Sequence, residues 1–389
     1  MSSQFNFDHA PDRRPYDSVK WSYPELSGST RGDLLPLWVA DMDFAGPPEV
    51  QLALQQRVAH PVYGYSGRPD SFFSAFAGWM QRRHSTTVER DWLLFVPGIV
   101  PAIAAAIRAF TSAGDGVVIM PPVYHPFKTL IEKNHRQCRE APLRIQEGSY
   151  RLDLDALDKA CRGSRLLLLC SPHNPVGRVW SLPELQAIAD LAAKHDLLVF
   201  ADEIHADLVY EGFRHIPSHE IDQRLSRRLL AAWAPSKTFN IAGLQASCML
   251  IPDQNLRRQF NEELEAAALG QPNCLTAGAA TAAYQHGDAW LQAVLEYMQG
   301  NYLLLVEQLA EKLPAVKVYP LEGTYLAWLD FSGLKLSGNV HKTIVEKTGL
   351  WLDAGSRFGT GGAGFARLNL GCPRTTVQEA VDRLAAAFG

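Results

Sequence analysis

The sequence has no cysteine pair spaced as C-x-x-C. Its six cysteines, Cys138, Cys161, Cys170, Cys248, Cys274 and Cys372, are scattered and not grouped with histidines. That excludes the usual zinc and dithiol motifs, and no metal is expected. Cys170 and Cys248 fall in apolar runs and read as small buried hydrophobes. A basic tail is also missing: Lys and Arg number 37 against 41 Asp and Glu, for a net charge of −4. Basic residues come in isolated pairs such as Arg13-Arg14, so no electrostatic grip on nucleic acid is expected. The longest apolar stretch near the front, Ile99 to Ile107, is broken by Arg108 and is too short to span a bilayer. The first ten residues lack the basic and apolar regions of a signal peptide, and a cytoplasmic location is expected. Repeats and low-complexity tracts are absent too. What remains is a chain of 389 residues, 47% apolar and 20% charged. That is enough for a large and a small domain without disulfide or metal support.

Six short apolar runs are present: Trp92 to Val96, Val117 to Met120, Arg165 to Cys170, Leu197 to Ala201, Leu229 to Trp233 and Ala246 to Ile251. They are apolar almost throughout rather than alternating. This predicts strands of a mostly parallel sheet covered on both faces. Helical patterns lie between them. Ser181 and Glu184 have capping-box spacing, followed by Leu185, Ile188, Ala189 and Ala192 at helical intervals. A long helix is predicted over Asp288 to Leu313, with Gly300 as a blemish in its middle. After it, Val316 to Tyr319, Thr324 to Asp330 and Ala366 to Leu370 read as strands of a smaller α+β unit. The expected class is therefore α/β, with ligand sites at the carboxyl ends of the strands.

Four strand-end features stand out there. Lys237 follows an apolar strand in Ser236-Lys237-Thr238-Phe239-Asn240, where partial desolvation would make its amine nucleophilic. Asp202 ends an apolar strand and, if buried, needs a cationic or hydrogen-bonding partner. Asn174 sits in the rigid loop Ser171 to Gly177. Pro97-Gly98-Ile99-Val100 forms a strand-to-helix junction whose free N–H groups suit a phosphate. Singly, each has a plain structural explanation: a surface lysine, a helix cap, two turns. Their order along the chain, completed by Tyr124 and Arg367, gives them joint meaning.

That order resembles the fold-type I, pyridoxal-phosphate-dependent aminotransferase superfamily of class I/II, over nearly the whole chain. More narrowly it resembles the MalY/PatB-like group of carbon–sulfur β-lyases. The strings carrying the resemblance are Leu37-Trp38-Val39-Ala40-Asp41-Met42-Asp43-Phe44, Gly64-Tyr65, Asp202-Glu203-Ile204-His205, Ser236 through Leu244, and the tail from Gly355 to Arg374. The resemblance implies a seven-stranded, mostly parallel sheet in a large domain, 46–286. It implies a small domain built from 1–45 and 287–389.

It also implies roles. Lys237 would hold pyridoxal 5′-phosphate covalently and later move the substrate's Cα proton. Asp202 would pair with the ring nitrogen, Asn174 with the ring oxygen, and Tyr124 would stack on the ring. Gly98, Ile99 and Val100 would offer N–H groups to the phosphate, with Ser236 assisting. Tyr65 would reach the phosphate from the partner of a homodimer. Arg367 would clamp the substrate carboxylate, with Asn174, Val39 and Tyr65 beside it. Trp38, Tyr63 and Arg357 are further candidates for the pocket wall.

Two positions depart from common superfamily patterns. Ala234 replaces a phosphate-binding hydroxyl residue three before the lysine. His205 replaces a tyrosine three after the aspartate, either touching the cofactor or packing nearby. The expected reaction is β-elimination of cystathionine or another cysteine S-conjugate to thiol, pyruvate and ammonia. Aminotransfer is the alternative, and a regulatory cofactor-binding protein a third.

Overall fold

The computed structural model describes residues 5–389. Its main sheet has seven strands: β1 (Leu93–Val96), β2 (Gly116–Ile119), β3 (Gln137–Glu140), β4 (Ser164–Cys170), β5 (Leu198–Asp202), β6 (Leu229–Trp233) and β7 (Ser247–Leu250). Their spatial order is β1-β7-β6-β5-β4-β2-β3. Only β7 runs antiparallel to its neighbours; the other pairings are parallel. The six apolar runs are therefore strands, with ends that differ by at most one residue from those read in the sequence. The seventh, β3, is an edge strand of sequence Gln-Cys-Arg-Glu with alternating exposure. Its residues are half-buried or exposed, unlike those of β1 at the opposite edge, so β3 carries no apolar run to betray it.

Both faces of the sheet are covered. Along β4, Leu166, Leu168 and Cys170 enter one apolar layer with Val117, Ile119 and Phe200. Leu167 and Leu169 enter the other with Val118, Val199 and Ala201. Each fully buried aliphatic chain contributes about 1.5–3 kcal/mol. The helix after β1, α1 (Ile99–Phe110), buries Ile99, Ala102, Ile103, Ala106 and Ile107, the spacing of one helical face. At α2 (Leu182–Lys194), the Glu184 carboxylate accepts from the Ser181 N–H at 2.9 Å and from its hydroxyl at 2.8 Å.

A second sheet holds β8 (Lys317–Val318), β9 (Leu326–Asp330), β10 (Asp353–Ala354) and β11 (Phe365–Asn369), all antiparallel in the order β8-β9-β11-β10. The N-terminal segment joins this region: Leu35 and Pro36 pair in parallel with Leu350 and Trp351, and the Asp43 N–H donates to Gly371 at 2.7 Å. Helices α3 (Thr276–His286) and α4 (Asp288–Lys312) link the two sheets. Helix α4 passes through Gly300 unbroken. A Cβ there would meet only the tip of the flexible Arg374 side chain, at 2.6 Å, which can move aside.

Gly287, between α3 and α4, has a sharper requirement. A Cβ at this position would lie 2.3 Å from the Phe239 ring and 2.6 Å from the Ala283 carbonyl. Phe239 cannot yield easily, because it packs between the rings of Trp79 and Tyr284. Gly287→Ala should therefore destabilise the fold by about 1–3 kcal/mol through overpacking. A lowered urea midpoint with unchanged slope would show it; an unchanged midpoint would mean the junction relaxes freely.

Candidate active site

Strands β1, β4, β5 and β6 point the same way, so the loops after them meet beyond the carboxyl ends of the strands. A cavity of about 410 Å³ opens there, against the second sheet. Lys237, Asp202, Asn174, Tyr124, Gly98, Ile99, Val100, His205, Ser236, Val39 and Arg367 all line it, as do Trp38 and Arg357. Tyr65 and Tyr63 do not. Both are exposed, Tyr65 completely.

Lys237 stands in the single helical turn Pro235–Thr238 that follows β6. Its Nζ donates to the Ala40 carbonyl at 2.6 Å, and the Tyr325 hydroxyl donates to the same oxygen at 2.8 Å. Desolvation lowers the ammonium pKa to about 8, aided by the nearby Arg367 charge and opposed by Asp41 and Asp202. Asp202, at the end of β5, is buried with one bond, from the Ile204 N–H at 3.2 Å. Among the described residues it has no salt-bridge partner, and burial pushes its pKa up to about 7. His205 is buried with Nδ1 unpartnered, and burial holds its ring neutral with a pKa of about 3. The Tyr124 hydroxyl is raised to about 12, chiefly by burial.

Arg367, on β11, crosses from the second sheet to the first. Nη1 donates to Asn174 Oδ1 at 2.8 Å, and Nη2 donates to Asp353 Oδ2 at 2.8 Å and to the Trp38 carbonyl at 2.9 Å. Its Nε is buried without an acceptor. With Oδ1 turned toward Arg367, the Asn174 amide nitrogen has no acceptor among the described residues.

Gly98 caps α1 with φ of +110°, a conformation open to glycine, and no side chain caps the helix. Its own N–H is taken by the Val96 carbonyl at 2.9 Å. Of the three N–H groups expected at a phosphate, two are left, on Ile99 and Val100 in the first helical turn, where no intrahelical acceptor exists. Ala234 is a buried apolar cap. Ser236 lines the cavity, and so do Gln245 and Ser247, which the sequence did not point to. Ser247 pairs with Val96 across β7 and β1, beside the Gly98 turn.

The whole chain matches known proteins. Residues 33–384 fit the model of the family described as aminotransferase class I and II. The chain belongs to that family. It is 40% identical to cystathionine beta-lyase PatB of Bacillus subtilis, covering 98% of this chain and all of that one. It is 34% identical to protein MalY of Escherichia coli, covering 99% of both. A PLP-bound C–S lyase from Staphylococcus hominis superposes with a TM-score of 0.93 at 30% identity, covering 100% of this chain and 99% of that one. Within the family, this chain is a member of the MalY/PatB-like group.

Asp353 is the residue that sequence reading most clearly missed. It ends the apolar run Leu350 to Leu352, the same signal that singled out Asp202. Ala40 was missed because it acts through its carbonyl. The lysine environment can be checked directly. In the ligand-free protein, acylation of Lys237 should accelerate as pH rises and level off above about 8, because the neutral amine is the nucleophile. An ordinary lysine goes on gaining reactivity past pH 10. Peptide mapping by mass spectrometry reads the profile, and a midpoint near 10 would contradict the desolvation.

Proposed function

We propose that this chain is a pyridoxal-phosphate-dependent carbon–sulfur β-lyase, acting on cystathionine or related cysteine S-conjugates. The observation that carries the reading is the meeting of Lys237, Asp202, Asn174 and Arg367 in one cavity. Full-length similarity to lyases supports it.

The residues present suit the cofactor. A buried carboxyl without a cation, Asp202, is what a protonated ring nitrogen would satisfy. The uncapped start of α1 and the hydroxyls of Ser236 and Ser247 suit its phosphate. The unpartnered Asn174 amide suits the ring oxygen, and the Tyr124 ring its face. When bound, the cofactor supplies an electron sink for charge developing at the substrate's Cα.

The chain's own residues do the rest. Lys237 would hold the cofactor, and its Nζ would take the Cα proton; a desolvated amine with a pKa of about 8 is suited to that task. Arg367 fixes the α-carboxylate, so that the Cα–H bond faces Lys237. Its own bonds to Asp353, Asn174 and the Trp38 carbonyl set the guanidinium plane. Elimination then breaks the Cβ–S bond. The thiol leaves with a proton, and water converts the remaining three-carbon fragment to pyruvate and ammonia.

The reading includes the division into a large domain, 46–286, and a small one, 1–45 with 287–389. It includes a cytoplasmic location; among the described residues no helix is long and apolar enough to cross a membrane. It includes a homodimer, in which the exposed Tyr65 reaches into the second copy's cavity. Aminotransfer is the second reading, favoured by the family description, because the same residues serve it up to loss of the Cα proton.

A paired assay separates the two. Cystathionine should yield pyruvate, while an amino acid with 2-oxoglutarate should yield little glutamate. Lys237→Ala should cut pyruvate formation at least about a thousandfold. Glutamate without pyruvate would overturn the lyase assignment in favour of the aminotransferase.

A further inference from the structure

Asp353 is shared by two arginines. Its Oδ2 accepts from Arg367 Nη2 at 2.8 Å, and its Oδ1 accepts from Arg357 Nη1 at 2.8 Å. Among the described residues, neither guanidinium has another acid within salt-bridge distance. One carboxylate thus faces two permanent cations. Arg367 is as buried as Asp353, and it has two further acceptors.

Arg357 has none of that support. Its other nitrogen, Nη2, meets His125 Nε2 at 3.1 Å. That imidazole is kept neutral, with its pKa lowered to about 4 by burial and by the arginine itself, so it supplies no anion. The Arg357 side chain is 45% exposed and lines the mouth of the cavity. It stands on the short turn Gly355–Phe358, one carboxylate's width from the arginine that clamps the substrate's α-carboxylate.

We infer that Arg357 binds an anionic group at the far end of the substrate, so that the preferred substrates are cysteine S-conjugates carrying a carboxylate on the S-substituent. The inference rests on the lyase reading and narrows its substrate class. Geometry favours a carboxylate, because a guanidinium edge matches its two oxygens in a bidentate pair. Arg367 takes the α-carboxylate, the cofactor site takes the amine, and Arg357 takes the group beyond sulfur. A substituent ending in an alkyl group leaves the Arg357 charge without an anion of its own. The residue acts on binding, so its effect belongs in KM rather than kcat.

The test compares two substrates of matched length, S-(2-carboxyethyl)-cysteine and S-propyl-cysteine, assayed for pyruvate with the holoenzyme. The carboxylate-bearing substrate should be favoured about tenfold in kcat/KM, mostly through KM. Arg357→Gln should bring the ratio close to one, and Arg357→Lys should restore part of it. A generally weakened fold would lower both rates together and leave the ratio standing. If both substrates give pyruvate and their ratio is the same in the native protein and in Arg357→Gln, the inference is wrong while the lyase reading survives. If neither gives pyruvate while cystathionine does, the inference is wrong; if cystathionine gives none either, the lyase reading fails and the inference falls with it.

Discussion

The structure depends on satisfying the backbone of one irregular segment. Between Trp38 and Ala45 the chain forms neither helix nor strand, so its carbonyls have no ladder partners. Buried carbonyls must nonetheless be paired. Side chains from distant parts of the sequence do this. Arg367 donates to Trp38, and Asn369 donates to both Val39 and Asp41. Lys237 and Tyr325 converge on Ala40. Asn240 holds Met42 and Phe44, and Trp290 holds Ala45. The segment is where the large sheet's lysine turn and the second sheet's β11 are sewn together. Asp43, within it, also neutralises the fully buried Lys20 at 2.6 Å. Removing one member of such a buried pair typically costs about 3–5 kcal/mol, so the stretch resists substitution at several points at once.

The same economy of donors shapes the chemistry. A buried acceptor left alone costs about 1–3 kcal/mol, yet the cavity keeps several polar atoms without partners. They include Arg367 Nε and His205 Nδ1. Asp202 carries a single backbone bond. Unpartnered buried atoms occur elsewhere in the core too, Tyr210 Oη and Trp233 Nε1 among them, but those of Arg367 and His205 belong to residues that line one cavity, where a ligand can complete the bonding. Lys237 is the reverse case. Its amine rests on the Ala40 carbonyl, which Tyr325 continues to satisfy when the lysine leaves. The lysine side chain can therefore move without stranding a buried acceptor.

Much of this was legible in the sequence, for identifiable reasons. Strands buried on both faces must be apolar throughout, so β1, β2 and β4 to β7 announced themselves, while the edge strand β3 did not. Charged or amide residues at the ends of such runs, Asp202 and Lys237, were conspicuous because a buried polar group requires a partner. Asp353 carried that signal on a much shorter strand and was passed over. Ala40, the Gly98 N–H and the pairing of Ser247 with Val96 act through the backbone or through register. Side-chain identity holds no trace of such roles. The sharing of Asp353 between Arg357 and Arg367 joins β10, a helical turn and β11, and only the folded chain brings them together.

The turn bearing Lys237 is held from both sides, which connects the fold to the reaction. In front, Asn240 ties it to the Trp38 to Ala45 segment. Behind it, the Thr238 hydroxyl donates to Asp207 Oδ2 at 2.8 Å. Asp207 also accepts from Trp79 Nε1 at 2.9 Å and meets His84 Nε2 at 2.7 Å, both on the helix Asp70–His84. Its bond with His84 and these other donors keep its pKa low despite complete burial. Asp207 lies five residues after Asp202, so one short loop places both the carboxylate facing the cavity and the carboxylate anchoring the lysine. A lysine has four rotatable carbons and loses much entropy when fixed. Holding its backbone rigidly from two directions confines that freedom to the side chain, the part that would swing away from the Ala40 carbonyl in the proposed reaction.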